Sequence, residues 1–88
     1  MKRLFLITID AKLDRKSILD FLSSQKGFGL WFYSTPSSFF IYSSFDAKKI
    51  AEKIGNQYGQ NMRIFVADVN DSNYYGVMPK EHWNIVNN

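Results

Sequence analysis

The 88-residue sequence contains no cysteine and only one histidine, His82. The absence of thiols excludes disulfides and thiolate metal sites, and a single imidazole excludes a metal site built from several histidines of one chain. Hydrophobic runs are also short. None approaches the roughly 20 residues that a membrane-spanning helix needs, and the N-terminal run is too short for a signal peptide. We therefore expect a cytoplasmic protein that does not bind a membrane.

The sequence contains moderate numbers of basic and acidic residues and many aromatic residues. Eleven basic and eight acidic residues leave a net charge of +3, which permits nucleic-acid binding without the dense basic stripe of dedicated DNA-binding proteins. Aromatic side chains make up 17% of the chain. A single domain of this length has a small core. We therefore expect part of the aromatic surface to serve a homodimer interface, a protein partner or the stacking of RNA or DNA bases.

The order of hydrophobic and turn signals predicts alternating strands and helices. Residues 3–9 are apolar on both faces, as in a central strand. Asp14 is a good N-cap for a helix that ends near Gly27. Aromatic runs at 28–34 and 39–43 flank a serine-rich turn with one proline, and this pattern predicts a hairpin.

A second helix over roughly 46–57 and a fourth strand over 62–69 complete the order β-α-β-β-α-β. This order predicts an α+β, ferredoxin-like fold, in which two helices cover one face of a four-stranded antiparallel sheet. Residues 1–70 form the predicted core. Residues 71–88 are too apolar for a free tail, so we expect this C-terminal extension to dock on the core or on a second subunit. Pro79 suits the first position of a short helix within it.

The predicted hairpin carries aromatic residues on both faces. Strict alternation groups Phe28 with Phe32 on one face and Trp31 with Tyr33 on the other, so one set can face the helices while the second is exposed. An exposed aromatic sheet is similar to the base-stacking surface of the RNA-recognition motif, but the basic-glycine-aromatic signature of that motif is missing. Packing against a second protomer or under the C-terminal extension is more economical. The aromatic residues assigned to this interface are Trp31, Tyr33, Tyr42, Tyr74, Tyr75 and Trp83.

The first predicted strand contains the run LITID and ends at Asp10. Together with the order of elements, this ending resembles the small endonucleases of CRISPR adaptation and the related VapD-type toxins. In that group two copies of the matching aspartate face each other across a dimer, where they can bind a divalent metal beside a phosphodiester. The resemblance implies that Asp10 is a catalytic residue and a ligand of Mg²⁺ or Mn²⁺ in a homodimeric nuclease.

Other interpretations of the polar residues stay open. Aspartate is common in turns, and Asp10 precedes the segment that leads to the first helix. Lys12, Arg15 and Lys16 cluster near the start of that helix and are candidates for phosphate contacts, although charged residues also line the solvated faces of helices. His82 is the one side chain whose ordinary pKa lies near neutrality, and a lone histidine favours a surface or packing role over catalysis.

Two classes of function follow from these observations. The first is a small dimeric protein that binds nucleic acid, or cleaves it with a divalent metal as the toxin and CRISPR-adaptation group implies. The second is a non-catalytic protein–protein interaction module, such as an accessory or inhibitor protein of a phage or mobile element. Surplus aromatic residues and few chemically reactive side chains fit the second class. Sequence-tolerant RNA binding without catalysis lies between the two.

Overall fold

The computed structural model of the protein describes residues 2–59, 62–70 and 80–86, without the side chains of residues 83 and 84. All six elements of the predicted core are present, and a third helix follows them. In chain order the elements are β1 (Arg3–Ile9), α1 (Arg15–Ser23), β2 (Phe28–Thr35), β3 (Ser38–Ser43), α2 (Ala47–Tyr58), β4 (Ile64–Asp68) and α3 (Lys80–Val86).

The four strands form one sheet in the order β2-β3-β1-β4. β1 is antiparallel to β3 on one side and to β4 on the other, and β2 is antiparallel to β3. A strand with neighbours on both sides and side chains packed on both faces requires an apolar run, which explains the hydrophobic character of β1. The predicted α+β fold class is confirmed, and the element and strand orders agree with a ferredoxin-like βαββαβ arrangement.

The main core lies between helices α1 and α2 and one face of the sheet, which we call the helix-covered face. β1 contributes Phe5, Ile7 and Ile9 to this core, and β3 contributes Phe39 and Ile41. Each helix buries one apolar stripe and exposes its charged side, as the helical spacing of the sequence predicts. The helices contribute Ile18, Leu19, Leu22, Ile50 and Ile54.

Local polar signals set where the two core helices begin. The carboxylate of Asp14 accepts a hydrogen bond from the backbone N–H of Lys16, and that of Asp46 accepts one from the backbone N–H of Lys49. Each bond satisfies an N–H group that has no partner within the helix. The prediction of Asp14 as an N-cap is confirmed. After α1, Gly27 turns the chain into β2 with a φ of 101°, a conformation that favours glycine.

The prediction of strict alternation along β2 is wrong. Phe28 pairs with Ser43, but Trp31 rather than residue 30 pairs with Ile41, so the register shifts between Phe28 and Trp31. Residues directly opposite each other on paired strands project to the same face. Phe28 therefore shares the helix-covered face with Trp31, and Phe32 lies on the opposite face. The cause is one extra residue on β2 at this position, as in a β-bulge.

Helix α3 covers part of the second face of the sheet, which we call the outer face. The hydroxyl of Tyr42 on β3 donates a hydrogen bond to the carbonyl oxygen of Ile85 (2.8 Å). The ring of His82 lies 4.5 Å from the ring of Phe32 on β2, and Phe32 in turn stacks on Phe40 at 4.7 Å. In the described residues α3 thus contacts the sheet of its own chain at strands β2 and β3.

The C-terminal extension is described only from Lys80 to Val86. Tyr74, Tyr75 and Pro79, which carry predictions, lie outside the described residues, as does the side chain of Trp83. None of the three helices in the described part of the chain has the length and apolar character needed to span a bilayer.

Candidate functional site

Asp10 follows the last residue of β1 and forms a tight turn. Its backbone N–H donates to the carbonyl oxygen of Arg63 (2.8 Å), so the pairing of β1 with β4 extends to this residue. Its side-chain Oδ1 accepts a hydrogen bond from the backbone N–H of Lys12 (3.0 Å), and its carbonyl oxygen accepts one from Leu13 (2.9 Å). These contacts are those of an aspartate that organises a turn from strand to helix.

The surroundings of Asp10 favour its ionised form. The pKa of its carboxyl lies below the ordinary value, chiefly because the backbone N–H of Lys12 donates to the carboxylate. The positive charges of Lys12 and Arg63 lower the pKa further, against a partial desolvation that raises it. Asp10 is therefore a carboxylate at neutral pH, and two cations from different parts of the chain lie close enough to influence its charge.

A hollow of about 340 Å³ opens beside Asp10 at the end of the sheet. We call it the sheet-end hollow. Along β1, Thr8 lies opposite Phe65 of β4, and the next outer-face positions, Asp10 and Arg63, also lie opposite each other. The hollow is thus lined by four different chemical groups, namely a hydroxyl, a carboxylate, a guanidinium and an aromatic ring, from Thr8, Asp10, Arg63 and Phe65. Its lining residues are Thr8, Ile9, Asp10, Ala11, Arg63, Ile64 and Phe65.

Phe65 and Arg63 contribute a ring and a cation to the sheet-end hollow, but neither was predicted from the sequence to belong to a site. Phe65 is 67% exposed, the highest exposure among the large hydrophobic side chains of the described residues. Its strand neighbours Ile64 and Val66 pack against the main core. That alternation was a usable signal, because it directs Phe65 to the outer face. The position of Arg63 opposite Asp10 had no such signal, because it depends on strand pairing.

The three predicted phosphate contacts, Lys12, Arg15 and Lys16, have different surroundings. Lys12 lies in the Asp10 turn. Nη1 of Arg15 donates to the carbonyl oxygen of Thr35 (2.7 Å), and its guanidinium carbon lies 3.5 Å from the centre of the Tyr33 ring. Nζ of Lys16 donates to Oδ2 of Asp20 (3.1 Å). Arg15 thus joins α1 to the hairpin, and Lys16 pairs within its own helix.

The predicted interface aromatics do not share one face of the sheet. Trp31 and Tyr33 lie on the helix-covered side of edge strand β2, with their ring centres 5.1 Å apart. Tyr42 lies on the outer face and bonds to α3. Trp31 is 40% exposed and Leu30, also on β2, is 59% exposed. Exposed hydrophobic side chains therefore occur at both edges of the sheet, on β2 and on β4.

His82 packs on the ring of Phe32, which agrees with the packing role that the sequence favours for a lone histidine. In the described residues no group of three or more histidine, cysteine, aspartate or glutamate side chains could hold a metal ion. The charged groups that lower the pKa of the predicted ligand Asp10 are the cations Lys12 and Arg63. One described chain therefore offers Asp10 as a single carboxylate ligand, so the further ligands of a Mg²⁺ or Mn²⁺ ion at Asp10 would come from a second copy of the chain, from phosphate and from water.

A second, larger depression of about 630 Å³ lies beside α2. Lys48, Lys49 and Lys53 contribute positive charge to its wall, and Glu52 contributes negative charge. Nζ of Lys53 already donates to Oε1 of Gln25 (3.0 Å). The depression lies along the charged, solvated side of α2, whereas the sheet-end hollow combines charged groups with the exposed ring of Phe65. The sheet-end hollow is therefore the better candidate for a functional site.

None of the family models, curated proteins and solved structures compared with this chain matches it. The assignment of a function therefore depends on the side chains of the chain itself.

Proposed function

We propose that this protein binds nucleic acid at the sheet-end hollow and needs no metal ion to do so. The observation that supports the proposal is the presence of two cations near the Asp10 carboxylate: Arg63, which lines the hollow, and Lys12, whose charge acts on Asp10. The two come from the turn after β1 and from the residue before β4, so the fold brings them together. Phosphate groups are the ligands that such a pair attracts from a polyanion.

The charge balance of the site and of the chain agrees with a modest affinity. Asp10 offsets one of the two positive charges that act on it, while the whole chain carries a net charge of +3. Two phosphate contacts release about two counterions, so we expect the logarithm of the association constant to fall with the logarithm of salt concentration with a slope of about −1 to −2. Arg15 and Lys16 contribute to the general positive field, since their head groups already have partners within the chain.

Fluorescence anisotropy of a labelled oligonucleotide tests the proposal. Binding is expected at low salt and should weaken several-fold between about 50 mM and about 200 mM salt. EDTA should leave the affinity unchanged, because the proposed contacts are made by side chains alone. Absence of binding at the lowest salt concentration, or binding that disappears with EDTA, would contradict the proposal.

The variant Asp10→Asn distinguishes two possible roles of Asp10, that of a turn residue and that of a metal ligand in a nuclease. The asparagine oxygen can still accept the hydrogen bond from Lys12, so the turn is retained while the negative charge is lost. We expect the variant to bind oligonucleotides about two- to fivefold more tightly at low salt, because it no longer repels phosphate from Lys12 and Arg63. The measurement is an anisotropy titration of the purified variant and of the unchanged protein.

The metal-dependent nuclease that the sequence resemblance implies gives the opposite outcome. In that case a second copy of the chain supplies the missing carboxylate, and Asp10→Asn abolishes a Mg²⁺- or Mn²⁺-dependent cleavage of RNA or DNA. Both proteins are therefore incubated with labelled nucleic acid and each metal. Cleavage by the unchanged protein that is lost in the variant would replace the metal-free proposal with the catalytic one.

A second candidate function is that of a homodimeric interaction module. It is favoured by edge strand β2, where Leu30 and Trp31 are exposed and where the run from Phe28 to Thr35 contains no charged residue to oppose strand pairing. Register shifts between Phe28 and Trp31 and between Tyr33 and Thr35 limit such pairing to the middle of the strand. Sedimentation equilibrium distinguishes the cases, since a concentration-independent monomer mass would exclude the dimer.

A further inference from the structure

We infer that the ring of Phe65 is a stacking site for an unpaired nucleic-acid base, so that the sheet-end hollow selects single strands over duplexes. The inference rests on the proposed function and names the form of nucleic acid that the same site takes. It starts from a contrast between the aromatic rings of the outer face. Phe32 is only 6% exposed and lies between Phe40 and His82, whereas Phe65 is 67% exposed.

Phe65 has no evident part in the packing of the main core. Its neighbours on β4, Ile64 and Val66, project to the helix-covered face and pack against the buried cluster, whereas Phe65 projects to the outer face opposite Thr8. A phenylalanine with so much ring surface in water contributes little to folding. A flat ring fixed on a paired strand is instead a rigid platform for another flat ring.

The charges next to Phe65 identify the occupant. Arg63 precedes Phe65 by two residues and lines the same hollow, and the cation of Lys12 lies close enough to Asp10, which also lines it, to lower the pKa of its carboxyl. A ligand that places an aromatic group on Phe65 therefore places its adjoining part near two cations. Single-stranded nucleic acid has this repeat of base and phosphate, whereas a second copy of this chain, also positive, would bring like charges together.

Base pairing determines which form of nucleic acid can use the ring. A base within a duplex is stacked between its neighbours and presents only its edges in the grooves, so a ring on a sheet surface cannot reach its face. An unpaired base has a free face and can stack without regard to its identity. The site is therefore expected to discriminate strongly between strand forms and weakly between sequences.

The test compares Phe65→Ala and Phe65→Trp with the unchanged protein, using labelled oligouridine and a duplex RNA of equal length. Phe65→Ala should weaken oligouridine binding about tenfold and duplex binding less than about twofold, while Phe65→Trp retains oligouridine binding. The salt slope of Phe65→Ala should equal that of the unchanged protein, because the substitution removes no phosphate contact. Gln57→Ala, which truncates an exposed and uncharged side chain on α2, is the control and should leave both affinities unchanged.

Each result supports or overturns the inference. Equal oligouridine affinity of Phe65→Ala and the unchanged protein, or equal losses on single strand and duplex, would overturn it and leave the proposed phosphate binding intact. If the unchanged protein binds no oligonucleotide at low salt, the proposed function itself fails. A change in sedimentation mass caused by Phe65→Ala would instead assign the ring to contacts between copies of the chain and also overturn the inference.

Discussion

Phe39→Ala is expected to lower the free energy of unfolding by about 3–5 kcal/mol. Phe39 lies on β3, one of the two inner strands, opposite Ile7 on β1 and Tyr33 on β2. Its side chain is 0% exposed and belongs to the main core, so truncation leaves a cavity that a packed sheet and two helices cannot readily close. A domain of this size has about 4–13 kcal/mol of stability in total.

Urea denaturation followed by circular dichroism measures the effect. Phe65→Ala is the matched control, because it makes the same chemical change on a strand of the same sheet where the ring is 67% exposed. We expect the control to change the unfolding free energy by less than about 0.5 kcal/mol. Similar losses in the two variants would show that Phe65 is covered in solution, for example by a second copy of the chain.

Reversing the charges at the sheet-end hollow is expected to cause the largest loss of nucleic-acid affinity. The double variant Lys12→Glu/Arg63→Glu replaces the two proposed phosphate contacts with two repulsive charges beside Asp10. We expect about a hundredfold weaker oligonucleotide binding at low salt and a loss of most of its salt dependence. Both residues are exposed, so the fold should be retained, and circular dichroism can verify it.

The control for the double variant must change the net charge equally. Lys48→Glu/Lys49→Glu does so, since each pair of substitutions takes the net charge from +3 to −1, a change of −4. Lys48 and Lys49 lie on α2 beside the second depression. The control should weaken binding far less than the variant at the hollow. Equal losses would mean that the net charge of the protein, and not the sheet-end hollow, accounts for the affinity.

The local elements of the fold follow directly from patterns in the chain. The unbroken apolar run of β1 indicated a central strand, and Asp14 followed by apolar residues at helical spacing indicated where α1 begins. These signals act between residues close in sequence, through strand pleating, helix periodicity and N-capping. The order of the elements then left few ways to assemble a sheet with helices on one face, which explains why the fold class was predictable.

Contacts between residues that are far apart in the sequence could not be predicted from it, because they depend on the tertiary structure. The extra residue in β2 moved Phe28 to the helix-covered face, which alternation alone could not indicate. The pairing of β1 with β4 placed Arg63 beside Asp10, more than 50 positions away in the chain. Arg15, a predicted phosphate ligand, found its partners on the hairpin.

Asp10 shows the division between local and tertiary information most clearly. Its place at the end of a buried strand and its turn preference are properties of a short segment, and both were evident in LITID. Its neighbours in space, Arg63 and the exposed ring of Phe65, depend on the register between β1 and β4. These two strands are adjacent in the sheet but are the first and last strands in the sequence. Register is set by the packing of a whole sheet face, so the residue was predictable as a turn former and its site was not.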